Sequence, residues 1–379
     1  MLFYSYIPFA NLALLIFAIL LFLFSKDNRS NRSNRYLLFF LINLGFHTLL
    51  RFGFSHGGYH LIVLPYILFP SAFLFGPLLY LYTRSVLFEN SRTNKEIILF
   101  TIPVLISFII HVVFNFLYPE MRSIADILNQ SGIITSYTRT IIIISNIYNI
   151  TITILAFLSL RNYISIFLNN YAITKEDQIL WLKILLSFNI ILYSCNILIT
   201  IFTLWKESAF VPVNLIEEFI MLGIAYLILF YYIKKPLLFI LTDKDIIPEI
   251  ENVPPKYSKQ NLSENMRKDY IKKIEEYFEV HKPYLEETLS LSEISSAVGI
   301  PSHHFSMTIN IEKNKNFYNF INDYRVEESK KILEDKNFSD TTILDIAYKS
   351  GFQSKSVFNR VFKQITGKSP KDYRSSFLK

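Results

Sequence analysis

Five uncharged runs, 6–24, 61–83, 97–118, 140–160 and 184–205, are each long enough to cross a hydrocarbon layer, which takes about 20 residues at helical rise. Two more, 36–54 and 210–233, are interrupted near one end by Arg51 and by Glu217 with Glu218. Lipid offers no hydrogen bonds to a backbone, so such runs are expected to be helices, whose N–H and C=O groups pair within the segment. The expected fold is all-α: a seven-helix transmembrane bundle over residues 1–235, then an all-helical cytoplasmic domain with two helix-turn-helix units. Composition agrees, since 51% hydrophobic residues with 35 Phe and only 18% charge is too apolar for an ordinary soluble globule. The first run has no basic segment before it and no small-residue cleavage signal after it, and is expected to be a retained helix.

Charge in the loops sets the expected orientation, because cytoplasmic loops carry the Lys and Arg excess. One alternate set holds Lys26, Arg29, Arg32, Arg35, Arg84, Arg92, Lys95, Arg161, Lys175, Lys183, Lys234 and Lys235, against Arg122, Arg139 and Lys206 in the other. The N-terminus is then outside a bacterial inner (cytoplasmic) membrane, and an odd number of spans places everything after Lys235 in the cytoplasm.

Ionisable groups within spans normally face the bundle interior or a cavity. Asn43, His47 and Arg51 share one helix face at i, i+4, i+8, with Arg51 expected at the depth of Glu217 and Glu218. His111 with Asn115, and Asn146, Asn149, Asn189 and Asn196, could join them. Two readings stand: a sensing site for an unidentified signal ligand, or interhelical hydrogen bonds that hold the bundle together. The single cysteine, Cys195, can form neither an intrachain disulfide nor a cysteine-based metal site.

After Lys235 the text turns to mixed charge and proline, giving an expected linker over 236–262. A helical period returns over 263–379. Ser290 with Glu293 has capping-box spacing, Leu291, Ile294, Ala297 and Val298 form an apolar stripe, and Gly299 suits a turn before a second helix near Pro301. This is a helix-turn-helix plan over 290–312. A second copy spans 342–365: Thr342 with Asp345, the inward-facing Ile343, Ile346 and Ala347, a turn at Gly351, then a helix from Gln353 to Gln364. Between them Phe317, Phe320, Ile321 and Tyr324 predict one long amphipathic helix.

In the second copy Val357, Phe358, Val361, Phe362 and Ile365 make the core stripe, leaving Lys355, Ser356, Asn359, Arg360 and Lys363 opposite. Asn reads adenine and Arg reads guanine bidentately, whereas Lys363, Lys368, Lys371 and Arg374 suit phosphates. From Ile346 to Lys379 there are eight Lys or Arg and one acid, Asp372, a charge of +7. In the first copy His303, Ser306 and Asn310 are the expected base contacts, with Met307 beside them. His303 and His304 are adjacent and so lie on different helix faces, which argues against a metal pair.

The stretch DIAYKSGFQSKSVFNRVFKQITGKSPKDYR, Asp345 to Arg374, resembles the AraC/XylS family signature. The matching positions include Ala347, Gly351, Phe352, Ser354, Phe358, Arg360, Phe362, Lys363, Gly367, Ser369, Pro370, Tyr373 and Arg374, and the resemblance extends back to about Tyr270. It implies paired helix-turn-helix units joined by a long helix, promoter binding, and activation more often than repression. The first unit departs from the pattern at Met307 and at Asn314, where Gly usually ends the helix. FGPLLYLYTRS, Phe75 to Ser85, resembles the seven-span region of membrane-bound regulators of this type. The implied partners are double-stranded promoter DNA, RNA polymerase, the lipid bilayer, an unidentified signal ligand and, in a dimeric arrangement, a second copy of the chain.

No nucleotide-binding glycine loop, catalytic triad or metal-ligand spacing is present, so neither a cofactor nor an enzymatic activity is expected. Two rival readings remain. One is a membrane transporter or integral-membrane enzyme whose DNA-binding domain adds autoregulation; the other is a helix-turn-helix domain turned to protein interaction.

Overall fold

A computed structural model of the chain describes residues 11–20, 23, 32–55, 70–88, 94–117, 132–172, 176–205, 223–231 and 262–377. Among the described residues all regular structure is helical, save one isolated antiparallel bridge between Tyr171 and Ser290. Two compact units form: Met1–Arg161 with Asp177–Glu251, and Asn162–Glu176 with Asn252–Lys379.

The first unit contains α1 (Arg32–Ser55), a 3-10 turn (Ala72–Leu74) that feeds α2 (Phe75–Leu87), α3 (Asn94–Leu117), most of α4 (Gly132–Asn170) and most of α5 (Glu176–Trp205). Three helices among the described residues, not the seven expected, are long and apolar enough to cross a membrane: Lys95–Phe114, Arg139–Asn170 and Ile179–Phe202. Asn11–Leu20 and Ala72–Leu87 are shorter apolar helices. Residues 61–69 and 206–222 lie outside the described residues, as do the side chains of 50–55, and with them the expected pairing of Arg51 with Glu217 and Glu218. α4 runs well beyond the expected 140–160, to Asn170.

The three long helices turn apolar side chains outward. Only 17% of the span in α3 is buried, with Ile98, Leu105, Ile109 and Phe116 among the exposed residues. Apolar surface of that extent needs a hydrophobic neighbour.

Several buried polar side chains in this unit bond between helices. His47 Nε2 and Ser71 Oγ stand 2.9 Å apart, and Asn43 Nδ2 donates to the Ser71 carbonyl at 3.2 Å. Asn149 accepts from the Gly76 backbone N–H at 2.7 Å and donates to the Ala72 carbonyl at 2.8 Å, satisfying both sides of the break before α2. That bond requires glycine at 76, because a Cβ there would lie 2.9 Å from the Asn149 Cα. Asn146 with Asn196 (3.0 Å) and Thr153 with Asn189 (3.3 Å) tie α4 to α5. His111 is also buried; the side chain of Asn115 lies outside the described residues.

In the second unit Ser263 caps α6 (Glu264–His281) by accepting from the Met266 N–H. There follow α7 (Leu291–Val298), α8 (Ser302–Glu312), α9 (Phe317–Glu334), α10 (Ile343–Lys349), α11 (Lys355–Thr366) and α12 (Pro370–Phe377). The apolar period of α9 feeds two cores. Phe317, Phe320 and Ile321 pack with Ile274, Phe278, Ile294, Phe305 and Ile309, while Val326 and Leu333 pack with Ile346, Phe352, Phe358, Val361 and Phe362. Each buried large side chain contributes about 1.5–3 kcal/mol relative to exposure, so α9 is anchored at both ends and fixes the pairing of the two halves.

Candidate nucleic-acid interface

Each half is built from a capped supporting helix, a turn and a second helix. In the first, Ser290 accepts from the Glu293 N–H while the Glu293 carboxylate accepts from the Ser290 N–H, a complete capping box. Gly299 ends α7 in the left-handed region at φ 72°. Within the expected stripe Leu291 and Ile294 are buried, but Ala297 is exposed and Ser295 takes the inward place. Ser295 is tolerated there because its hydroxyl bonds that of Ser302 at 2.6 Å, joining α7 to α8. Asn314 adopts φ 52°, serving as the left-handed residue where glycine is commoner.

The second half repeats the plan. Thr342 accepts from the Asp345 N–H at the start of α10, and Gly351 turns the chain at φ 84°. A Cβ on Gly351 would lie 2.3 Å from the Tyr284 carbonyl oxygen, so this turn needs glycine for closeness as well as for φ. Ser354 caps α11, which begins at Lys355, two residues later than the expected Gln353. Phe358, Val361 and Phe362 are buried, Val357 is partly so, and Ile365 is exposed at the end of the helix, where the core stops.

The opposite face of α11 presents Lys355, Ser356, Arg360 and Lys363 exposed and Asn359 half-buried. Arg360 Nη2 donates to the Tyr318 hydroxyl at 3.2 Å, which orients the guanidinium from α9. Lys368 and Lys371 are exposed. Arg374, half-buried, donates to the Thr341 carbonyl at 2.6 Å and braces the start of α10. In the first half His303 is exposed, while Ser306 and Asn310 are half-buried and bonded to each other, Asn310 Nδ2 donating to the Ser306 carbonyl at 2.8 Å.

Electrostatics separate the two kinds of helix. The supporting helices α7 and α10 carry Glu293 and Asp345 in their first turns, whereas α8 and α11 carry no acid there. A helix N-terminus left without an acid keeps its partial positive charge available to an external anion. On α11 that end is reinforced by Lys355, while α8 contains no Lys or Arg at all.

Residues 294–376 match the family model of a helix-turn-helix domain. The chain therefore carries a helix-turn-helix domain over these residues. It is similar to an uncharacterized HTH-type transcriptional regulator of Staphylococcus aureus strain COL, 36% identical over 126 residues, which is 33% of this chain and 16% of that protein. A counterpart in strain N315 shows the same identity and coverage. An uncharacterized HTH-type transcriptional regulator of Pseudoalteromonas carrageenovora is 28% identical over 89 residues, 24% of this chain and 51% of the relative. The chain thus spans about a sixth of the length of the staphylococcal relatives, and no solved structure matches it.

Sequence reasoning missed three residues that organise this unit. Arg325 is 2% exposed on α9 and donates to the carbonyls of Tyr284 (2.8 Å), Glu286 (2.7 Å) and Ala172 (2.7 Å). Burial pushes the Arg325 guanidinium down to about 10, so it stays charged at neutral pH. Tyr171 and Ala172 belong to the same arrangement, and their sequence setting between two apolar runs gave no sign of it.

Proposed function

We propose that the chain is a membrane-tethered, sequence-specific DNA-binding transcription regulator, acting as an activator under a membrane-borne or extracytoplasmic signal. The observation that carries the DNA reading is α11: a capped helix, acid-free at its N-terminus, whose outward face holds Lys355, Ser356, Asn359, Arg360 and Lys363 on a base packed by Phe358 and Phe362. Asn359 and Arg360 are assigned to base edges, and Lys363, Lys368 and Lys371 to phosphates. His303, Ser306 and Asn310 on α8 make the weaker second reading. Arg374 is assigned to phosphates as well, its position braced by the Thr341 carbonyl. α9 holds the two halves so that their second helices address successive major grooves of one promoter half-site.

Tethering rests on the three long apolar helices and their outward-facing side chains. On a seven-span topology read from the uncharged runs, the loop charges put the N-terminus outside and the helix-turn-helix domain in the cytoplasm. The buried polar set around His47, Asn149 and Asn189 serves as interhelical glue that a signal would rearrange. RNA polymerase and a second copy of the chain are the protein partners of this reading.

Genomic DNA capture by the detergent-solubilised full chain, at two salt concentrations, tests it. One motif should be enriched, relaxed by Asn359→Ala or Arg360→Ala, and bound more weakly as salt rises. Equal retention of all sequences by wild type and variants, without salt dependence, would replace this reading with protein interaction.

A further inference from the structure

The end of α4 is built into the helix-turn-helix unit. Tyr163, Phe167 and Tyr171 recur at i, i+4, i+8, are 2%, 1% and 6% exposed, and stack at centroid distances of 5.6 and 4.9 Å. Asn170 Nδ2 donates back to the Ile166 carbonyl at 2.7 Å where the helix ends. The chain then runs antiparallel to the start of α7: Tyr171 bridges Ser290, and the Ala172 N–H donates to the Leu289 carbonyl at 3.1 Å. Ala172 is 1% exposed within the first core, and Leu168 packs against the second. The Tyr171 hydroxyl is pushed up by burial and by the charge of Glu293, the acid of the capping box on α7.

Arg325 closes this contact. One guanidinium binds the Ala172 carbonyl, the 284–286 loop ahead of α7, and lies 5.8 Å from the Phe352 ring centroid, beside the Gly351 turn of the second half. A short segment that touches both cores and the residue between them constrains how the two halves are set. While it is seated, Lys355, Ser356 and Arg360 on α11 and His303 on α8 remain exposed. The seated state is therefore open to DNA.

We propose that residues 163–172 are an intramolecular docking strap that holds the two helix-turn-helix halves in their DNA-reading arrangement, and that the apolar half of the chain regulates DNA binding by seating or withdrawing it. This rests on the DNA-reading function above and names its control element. Residues 163–170 of the strap are the last turns of α4 itself, continuous with its apolar run from Arg139, so movement of that helix acts on the strap without an intervening linker.

The pair Tyr171 and Ser290 suits a disulfide test. The neighbouring Ala172-to-Leu289 bond marks it as a non-hydrogen-bonded antiparallel pair, with Cα atoms about 4.5 Å apart and within disulfide reach. Full-length protein carrying Tyr171→Cys and Ser290→Cys in a Cys195→Ser background, with a protease site inserted in 236–262, is mildly oxidised in membranes and then cleaved. The strap predicts that most of the two fragments stay joined until reductant is added, without any DNA present. Fragments that separate before reduction overturn it. The same preparation then reports function on the captured motif: the oxidised form should bind at least as tightly as the reduced form, and Leu168→Glu should weaken binding tenfold or more while lowering the disulfide yield. Loss of motif binding on oxidation would overturn the proposed direction of control. Because the disulfide is read without DNA, a failure of the DNA-reading function remains distinguishable.

Discussion

Replacing three glycines by alanine, one at a time, separates backbone strain from crowding. Gly299, Gly351 and Gly367 all adopt positive φ, at 72°, 84° and 76°. A left-handed non-glycine residue costs about 1–2 kcal/mol. At Gly299 and Gly367 a Cβ meets nothing within 4 Å, so this is the whole cost. At Gly351 the Cβ would lie 2.3 Å from the Tyr284 carbonyl oxygen, 3.0 Å from the Leu285 Cα and 3.1 Å from the Arg325 Nε. The first two are backbone, so the 284–285 loop must shift. Overpacking of this kind costs about 1–3 kcal/mol, and the shift also stretches the 2.8 Å bond from Arg325 to Tyr284. The expected totals are about 1–2 kcal/mol for Gly299→Ala and Gly367→Ala, and about 3–5 kcal/mol for Gly351→Ala. Pulse proteolysis of the C-terminal unit in the detergent-solubilised chain, titrated with urea, reads the difference. With an m-value of about 2 kcal/mol/M, the midpoint should fall by about 0.5–1 M for the first two and at least 1.5 M for the third. Equal shifts at all three positions would refute the packing of the second turn against the 284–285 loop.

Other consequences are open to direct measurement. Lys363→Ala should weaken DNA binding evenly across sequences and reduce the slope of log affinity against log salt by about 1, read by fluorescence anisotropy. Phe358→Ala, which empties a fully buried site beneath α11, should cost about 3–5 kcal/mol in the same urea assay. Asn149→Ala removes both bonds at the start of α2 and should lower bundle stability by about 1–2 kcal/mol in detergent melts, leaving the helix-turn-helix unit unaffected. His304 is held below its usual range by burial and then by His303. Its contribution is complete above the unfolded value of about 6.5 and declines as pH falls toward the folded value. His304→Gln should therefore flatten the acid side of the stability profile of this unit.

The regular parts of this fold announce themselves through period and punctuation. Ser290 with Glu293, Gly299, Thr342 with Asp345 and Gly351 are local signals, each stating its own geometry within four residues, and each takes the conformation its chemistry favours. Boundaries and faces are less legible where a tertiary partner intervenes. Ser295 turns inward because Ser302 meets its hydroxyl, and Ile365 remains outside because no core reaches the last turn of α11. The bond from Arg374 to the Thr341 carbonyl, 33 residues away, likewise has no local signal in the sequence. The role of Ala172 was invisible for the same reason at greater range: a small residue after an apolar helix has no periodicity to betray it, and its partner arises only when Leu289 and Arg325 are folded.

The contact between Arg325 and Ala172 also orders the protein in time. Its two residues are separated by 153 positions, which a ribosome adding about 5–20 residues per second covers in roughly 8–30 s. During that interval the ridge of Tyr163, Phe167 and Tyr171 has been synthesised but the surface that seats Ala172 has not. A newly made chain must keep three aromatic rings from aggregating while it waits for the surface that buries them. Premature termination anywhere before Arg325 would leave that ridge permanently without its seat, giving quality control a distinctive mark of an unfinished molecule.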